Sequence, residues 1–426
     1  MLKSYLIRNA ILLNEGHTHH SQKVDILITE GKIVKIEKEI KADATLIEGA
    51  ELYVSAGWTD LRCHLTDPGH EQKDTIDTLL DTAAAGGFTR VVTLPDSDPA
   101  ITDKSRVNYL KNSSVNHLVD LLPAGVLSAS SQADNLAELF DMHQAGAVAF
   151  TNGDGDMSNG LLKKALLYTK PFGARVITHP SDKSLEQGGT VNESENTIHT
   201  GLRTSSSLAE YVRVSEQIEI AKYCDAHLHL SALSCKESVE LVKQAKKDGV
   251  NITCDVAIAN LCFTDKEVLS FDENFKLYPP LRTEQDRKAL VKGLIDGTID
   301  AISSNHTPQN IEQKQMEFDY AEYGALTLQQ LYAWYVEYLV KDLSIEQFIH
   351  AVTQGPDTIL GIEHHTLQVD DLANLTVVDK KAEWILDSTT NESLSKNTHT
   401  WNTKLTGKVK AVFHRNKVNF YYPILN

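Results

Sequence analysis

The chain has 426 residues and a formal charge of −17, from 58 Asp and Glu against 41 Lys and Arg. That balance argues against nucleic acid or an anionic membrane as the main partner. A 41% hydrophobic and 23% charged composition is that of a soluble globular protein, large enough for two domains or one with an appendage.

The N-terminal segment lacks the long apolar core and small-residue cleavage site of a signal peptide. No apolar run reaches the roughly 18 residues a membrane-spanning helix needs. The five cysteines (Cys63, Cys224, Cys235, Cys254, Cys262) are odd in number and show no Cys-x-x-Cys spacing. They read as reduced thiols, and the chain as cytoplasmic.

Residues 1–53 alternate apolar and polar residues in short runs, YLIRNAILL, KVDILITEG, KIVKIEKEI and ATLIEGAELYV, as short antiparallel strands do. The segment from about 366 to 426 has the same texture, so both chain ends are expected to build one small β domain. Between them, over 54–365, apolar strands alternate with helical stretches, which argues for a parallel sheet covered by helices. Strands are expected near 56–61, 90–95, 119–126, 146–151, 175–179, 226–231, 250–256 and 299–304. Helices are expected at 72–85, 207–223, 236–248 and after Thr283, where Asp286 stands in the acidic position of a capping box. Eight strand–helix units predict an α/β fold, a (β/α)₈ TIM barrel carrying a small β sandwich made from both ends.

Such barrels place their chemistry at the C-terminal ends of the strands. Those ends carry Arg62 and His64, Asp96, Asp154, His179, His229, and Asn305 with His306. Arg62 and His64 are two apart in a strand and share a face, which turns Cys63 away from it. Imidazoles and carboxylates gathered at one barrel end are the usual ligands of zinc and similar ions. His17, His19 and His20, and the His364-His365 pair, are read as exposed loop residues. Lys236 to Lys247 is read as a solvated helix face.

The motifs, in order, resemble those of the type I dihydroorotases of the amidohydrolase superfamily. DLRCHLTDPG (60–69) is similar to that family's Asp-x-His-x-His-x-Arg-x-Pro-Gly. GGFTRVVTLPDSDP (86–99), GAVAFTNGDG (146–155), VITHPSDKSL (176–185) with VNES (191–194), HLHLSALSCKESVELVKQAK (227–246), KLYPPLR (276–282) and SSNHTPQ (303–309) continue the likeness. The resemblance implies a cyclic amidohydrolase of pyrimidine biosynthesis that interconverts carbamoyl aspartate and dihydroorotate at a metal centre.

Carried over residue by residue, the resemblance also implies changes. Arg62 stands at a metal-ligand position and, being charged, cannot ligate. Asn305 stands at the catalytic aspartate, and an amide has no useful proton affinity. Thr66, Asp96, Tyr278 and Gln309 stand at substrate-binding or neighbouring positions that the family fills with Arg, Asn, Asn and His. His64, Asp154, His179 and His229 remain as metal positions, enough for one residual Zn²⁺ but not for a two-metal centre. Two outcomes stay open for Arg62: it supplies the charge of a lost cation, or it reaches solvent or a neighbouring loop.

With these changes the resemblance implies a dihydroorotase-like pseudoenzyme; inactive dihydroorotase-like chains of some bacteria are structural partners of aspartate transcarbamoylase, and by that likeness this chain is expected to be one and to form a homo-oligomer. The alternative is an active zinc-dependent dihydroorotase, or a hydrolase of another cyclic amide, working from a rebuilt mononuclear site with His64 or His306 recruited.

Overall fold

The computed structural model describes residues 3–128 and 135–421. Eight parallel strands follow one another round a barrel in chain order: Trp58–Cys63, Phe88–Thr93, Asp120–Gly125, Ala149–Phe150, Arg175–Thr178, Leu228–Leu230, Ile252–Ala257 and Ala301–Ser303. Each overlaps its expected position, and the predicted fold class stands. The eighth strand meets the first through a bridge between Cys63 and His306, where the His64 amide donates to the His306 carbonyl at 3.0 Å. Asp60 reinforces that seam by accepting from the Ser304 amide at 2.6 Å and its hydroxyl at 2.8 Å.

Two apolar layers follow from the alternation of side chains along each strand. Leu61, Val92, Ala124, Ala149, Ile177 and Ala301 come from six different strands and cluster with Ile359 and Leu360. Residues from so many strands converge only on the barrel axis. The larger cluster, which includes Trp58, Phe88, Val91, Phe150, Val176, Leu228 and Val256, lies between strands and covering helices.

The helices form where their apolar spacing and caps require. Leu208–Cys224 and Lys236–Lys247 turn Val214 and Ala221, and Val239 and Val242, inward. On Glu284–Ile295 the expected capping box is present, with Thr283 and Asp286 bonding each other's backbone amides. Lys236 and Lys247 are exposed, as a solvated face requires.

The chain ends share a second sheet. Its order is Lys417–Phe420, Lys404–His414, Leu375–Ile385, Leu52–Ala56, Ser4–Leu13, Lys23–Thr29 and Lys32–Glu37, with Thr45–Ile47 alongside Ser4–Leu13. The two ends join where Val54 lies opposite Val377, over a core that includes Ile7, Leu12, Val24, Leu375 and Phe413. The strand Leu52–Ala56 continues past residue 53 to within two residues of the barrel. Segment 386–403 reaches back towards the barrel: Ser393 donates to Asp74 at 2.8 Å, and Asn397 accepts from the Gln309 amide at 3.0 Å. No helix among the described residues is long and apolar enough to cross a membrane, and all five cysteines are free.

Candidate active site at the barrel mouth

Arg62, near the end of the first strand, is 1% exposed. Its Nε donates to Asn305 Oδ1 at 2.7 Å, and its guanidinium also pairs with Asp154. Asn305 follows the eighth strand at φ +51°, a left-handed conformation that asparagine adopts readily. Its Nδ2 donates to the Tyr278 carbonyl at 2.9 Å. His64 reaches the same carboxylate from the same strand face, with Nε2 3.7 Å from Asp154 Oδ2, while its Nδ1 pairs with Asp96. Asp96 also accepts from the Leu65 amide at 3.0 Å. The mouth therefore holds Arg62, Asp154, His64 and Asp96 as alternating charges.

Burial alone would raise the Asp154 pKa, but Arg62, and then His179, His64 and Lys183, hold it well below the usual carboxylate range. Burial works against the charged form of His64, yet Asp96 and Asp154 outweigh it and shift its pKa upward. His179 goes the other way, lowered by burial and by Arg62. Its Nδ1 lies 3.2 Å from the Ser231 carbonyl and its ring packs edge-on against Tyr278, with centroids 4.9 Å apart.

The remaining predicted residues are placed differently. His229 is fully buried beside the mouth, with Nε2 2.8 Å from Asp255 and Nδ1 2.9 Å from Thr253. Both ring nitrogens therefore have partners within the protein. His306 is also fully buried: its Nδ1 accepts from the Thr327 amide at 3.1 Å and its Nε2 lies 4.0 Å from Asp74. Thr66 donates to the Asp74 carbonyl at 2.7 Å and Gln309 to the Tyr323 carbonyl at 2.9 Å, so both side chains brace loops. Cys63 is buried and bonds Asp60.

Sequence reasoning missed Lys183, Glu186 and Asp255. Lys183 sits 4.3 Å above the Tyr278 ring and pairs with Glu186 at 2.9 Å. Burial, followed by Glu186, pushes the Tyr278 hydroxyl far above its ordinary value. Asp255 had a readable signal. Thr253 and Asp255 are two apart on the seventh strand and share a face, and Thr253 is in register with His229.

The donor set does not fit a resident metal ion. Arg62 is bonded to Asp154 within the mouth, His229 is committed to Asp255 and Thr253, and no three His, Cys, Asp or Glu side chains among the described residues converge as a cation site. At the opposite end of the barrel, His20, His364 and His365 line a cavity of about 550 Å³. His364 is not free there, because Nδ1 lies 3.3 Å from Asp357.

This geometry can be set beside known proteins. A family model described as Dihydro-orotase-like matches residues 52–238. L-hydantoinase (dihydropyrimidinase) from Arthrobacter aurescens superposes with a TM-score of 0.85 at 22% identity, covering 100% of this chain and 98% of that one. D-hydantoinase (dihydropyrimidinase) from Thermus sp. gives 0.79 at 20% identity, covering 99% and 97%. At those identities the likeness shows the fold alone. A dihydroorotase from Caldicellulosiruptor saccharolyticus is 36% identical over 420 residues, 97% of either chain. One from Aquifex aeolicus is 34% identical over 414 residues, covering 96% of this chain and 97% of that protein. Likeness of that depth spans the barrel and the end-built sheet together, and the chain belongs to the dihydroorotase family.

Proposed function

We propose that this chain is a dihydroorotase-family protein that has lost the hydrolysis and closure of the cyclic amide, and that it serves pyrimidine biosynthesis as a structural partner of aspartate transcarbamoylase. The observation that supports the loss is the bonding of Arg62 to both Asp154 and Asn305. Amide hydrolysis at neutral pH needs an activated water and a group to carry its proton. Arg62 has no lone pair to offer, Asn305 has no proton affinity, and Asp154 is held too acidic to be an effective base. The partnership rests on the resemblance to inactive dihydroorotase-like chains. With it go a cytoplasmic location, a homo-oligomeric state and no nucleic-acid or membrane partner.

A second reading is favoured by one observation. His179 is held towards its neutral form, and its Nε2 makes no hydrogen bond among the described residues. In that reading the chain still opens the dihydroorotate ring, with His179 as the base.

Interconversion of dihydroorotate and carbamoyl aspartate, assayed in both directions with added zinc, separates the two. Background rates support the first reading, and an ordinary enzymatic rate overturns it. Co-elution with aspartate transcarbamoylase of the same cell on size exclusion tests the partnership, and separate elution at micromolar concentrations contradicts it.

A further inference from the structure

We infer that Arg62 is a built-in cation that holds the barrel mouth together without a metal ion. A guanidinium that is 1% exposed is costly unless its charge is met. Here it is met by Asp154, with the Asn305 side-chain oxygen Oδ1 accepting from Nε. Asp154 would otherwise share the mouth with a second carboxylate, Asp96, and two such groups need cations between or beside them to stay ionised. His64 lies between them, 3.7 Å from Asp154 and paired with Asp96, and Arg62 closes the far side.

The resulting order is cation, anion, cation, anion. It ties together the first strand, which carries Arg62 and His64, and the segments after the second, fourth and eighth strands, which carry Asp96, Asp154 and Asn305. Arginine stays charged throughout the working pH range, so this neutralisation needs no outside ion. The guanidinium fork also has a direction that a spherical ion lacks: it reaches Asp154 and Asn305 with different nitrogens. The inference rests on the same reading of the mouth as an altered hydrolase site, yet turnover does not enter its test.

The test is thermal unfolding of full-length wild type, Arg62→Met, Asp154→Asn and the double variant, each in EDTA and in zinc chloride, with zinc content measured after dialysis. Wild type is expected to retain well under one equivalent of zinc and to unfold at the same temperature in both solutions. Asp154→Asn leaves Arg62 without its carboxylate, and Arg62→Met leaves Asp154 with the more distant His64 in place of the guanidinium; each is expected to lose on the order of 5–10 °C. The double variant is expected to recover at least half of that loss, because neither charge remains. If one single variant fails to fold, a double variant that folds still shows the coupling, and a double variant that also fails to fold overturns the inference. Additive losses, or a full equivalent of wild-type zinc that disappears in Asp154→Asn, overturn the inference.

Discussion

Asn305 is bonded at both ends of its amide: Oδ1 accepts from Arg62 Nε at 2.7 Å, and Nδ2 donates to the Tyr278 carbonyl at 2.9 Å. A carboxylate at this position would still accept from Arg62, but it would set a second acceptor against the carbonyl. Asn305→Asp is therefore expected to cost about 1–3 kcal/mol at pH 7. Urea unfolding checks this, and a variant as stable as wild type would show that the donor end of the amide carries no energy.

His64 is expected to stay protonated at pH values where an ordinary histidine is neutral, because Asp96 and Asp154 raise its pKa above 6.5. The sign follows from that direction. The stability gained from pairing is fully present below pH 6.5 and is lost as pH rises through the higher folded-state value. Asp96→Asn should move the titration back down. NMR titration of the His64 ring measures both, and a wild-type midpoint below 6.5 would contradict the assignment.

At the barrel seam, burial pushes Asp60 up from 3.8 to about 6, outweighing the bonds it accepts from Ser304, Cys63 and the Arg62 amide. A raised carboxyl stabilises the fold most below its unfolded pKa and loses that contribution as pH climbs through the folded value. The stability gap between wild type and Asp60→Asn should therefore shrink between pH 4 and pH 6, by on the order of 2 kcal/mol. Urea midpoints across that window decide it. A gap that stays constant or widens would mean that Asp60 is ionised throughout.

Arg282, 5% exposed, joins three segments beside the mouth. It donates to Ser234 Oγ at 3.1 Å, Asn192 Oδ1 at 2.8 Å and the Ser205 carbonyl at 2.9 Å. Arg282→Lys keeps the charge but not the fork and is expected to cost about 2–4 kcal/mol. Limited proteolysis should show faster cleavage within 187–206, and an unchanged cleavage pattern would show that the segment is held by other contacts.

The fold was readable because barrel strands are short apolar runs with turn signals on either side. Phe88–Thr93 and Ile252–Ala257 sit within two residues of their expected spans. The motif at 60–69 located the mouth, and strand alternation correctly set Arg62 and His64 on one side with Cys63 turned away. The partner each side chain chooses was less readable. His229 could turn to the mouth or to Asp255, and only the packing of the sixth strand against the seventh decides between them. Thr66 and Gln309 bond carbonyls of segments whose course depends on tertiary contacts. Lys183 lay within a quoted motif, yet its place over the Tyr278 ring joins residues 95 positions apart in sequence.

The most direct measurement is steady-state turnover of dihydroorotate and of carbamoyl aspartate by zinc-supplemented wild-type protein, assayed in both directions. With Arg62 and Asn305 in the mouth, no rate above the enzyme-free background is expected in either direction. Turnover of about 1 s⁻¹ or faster, the ordinary range for an enzyme, would contradict the account.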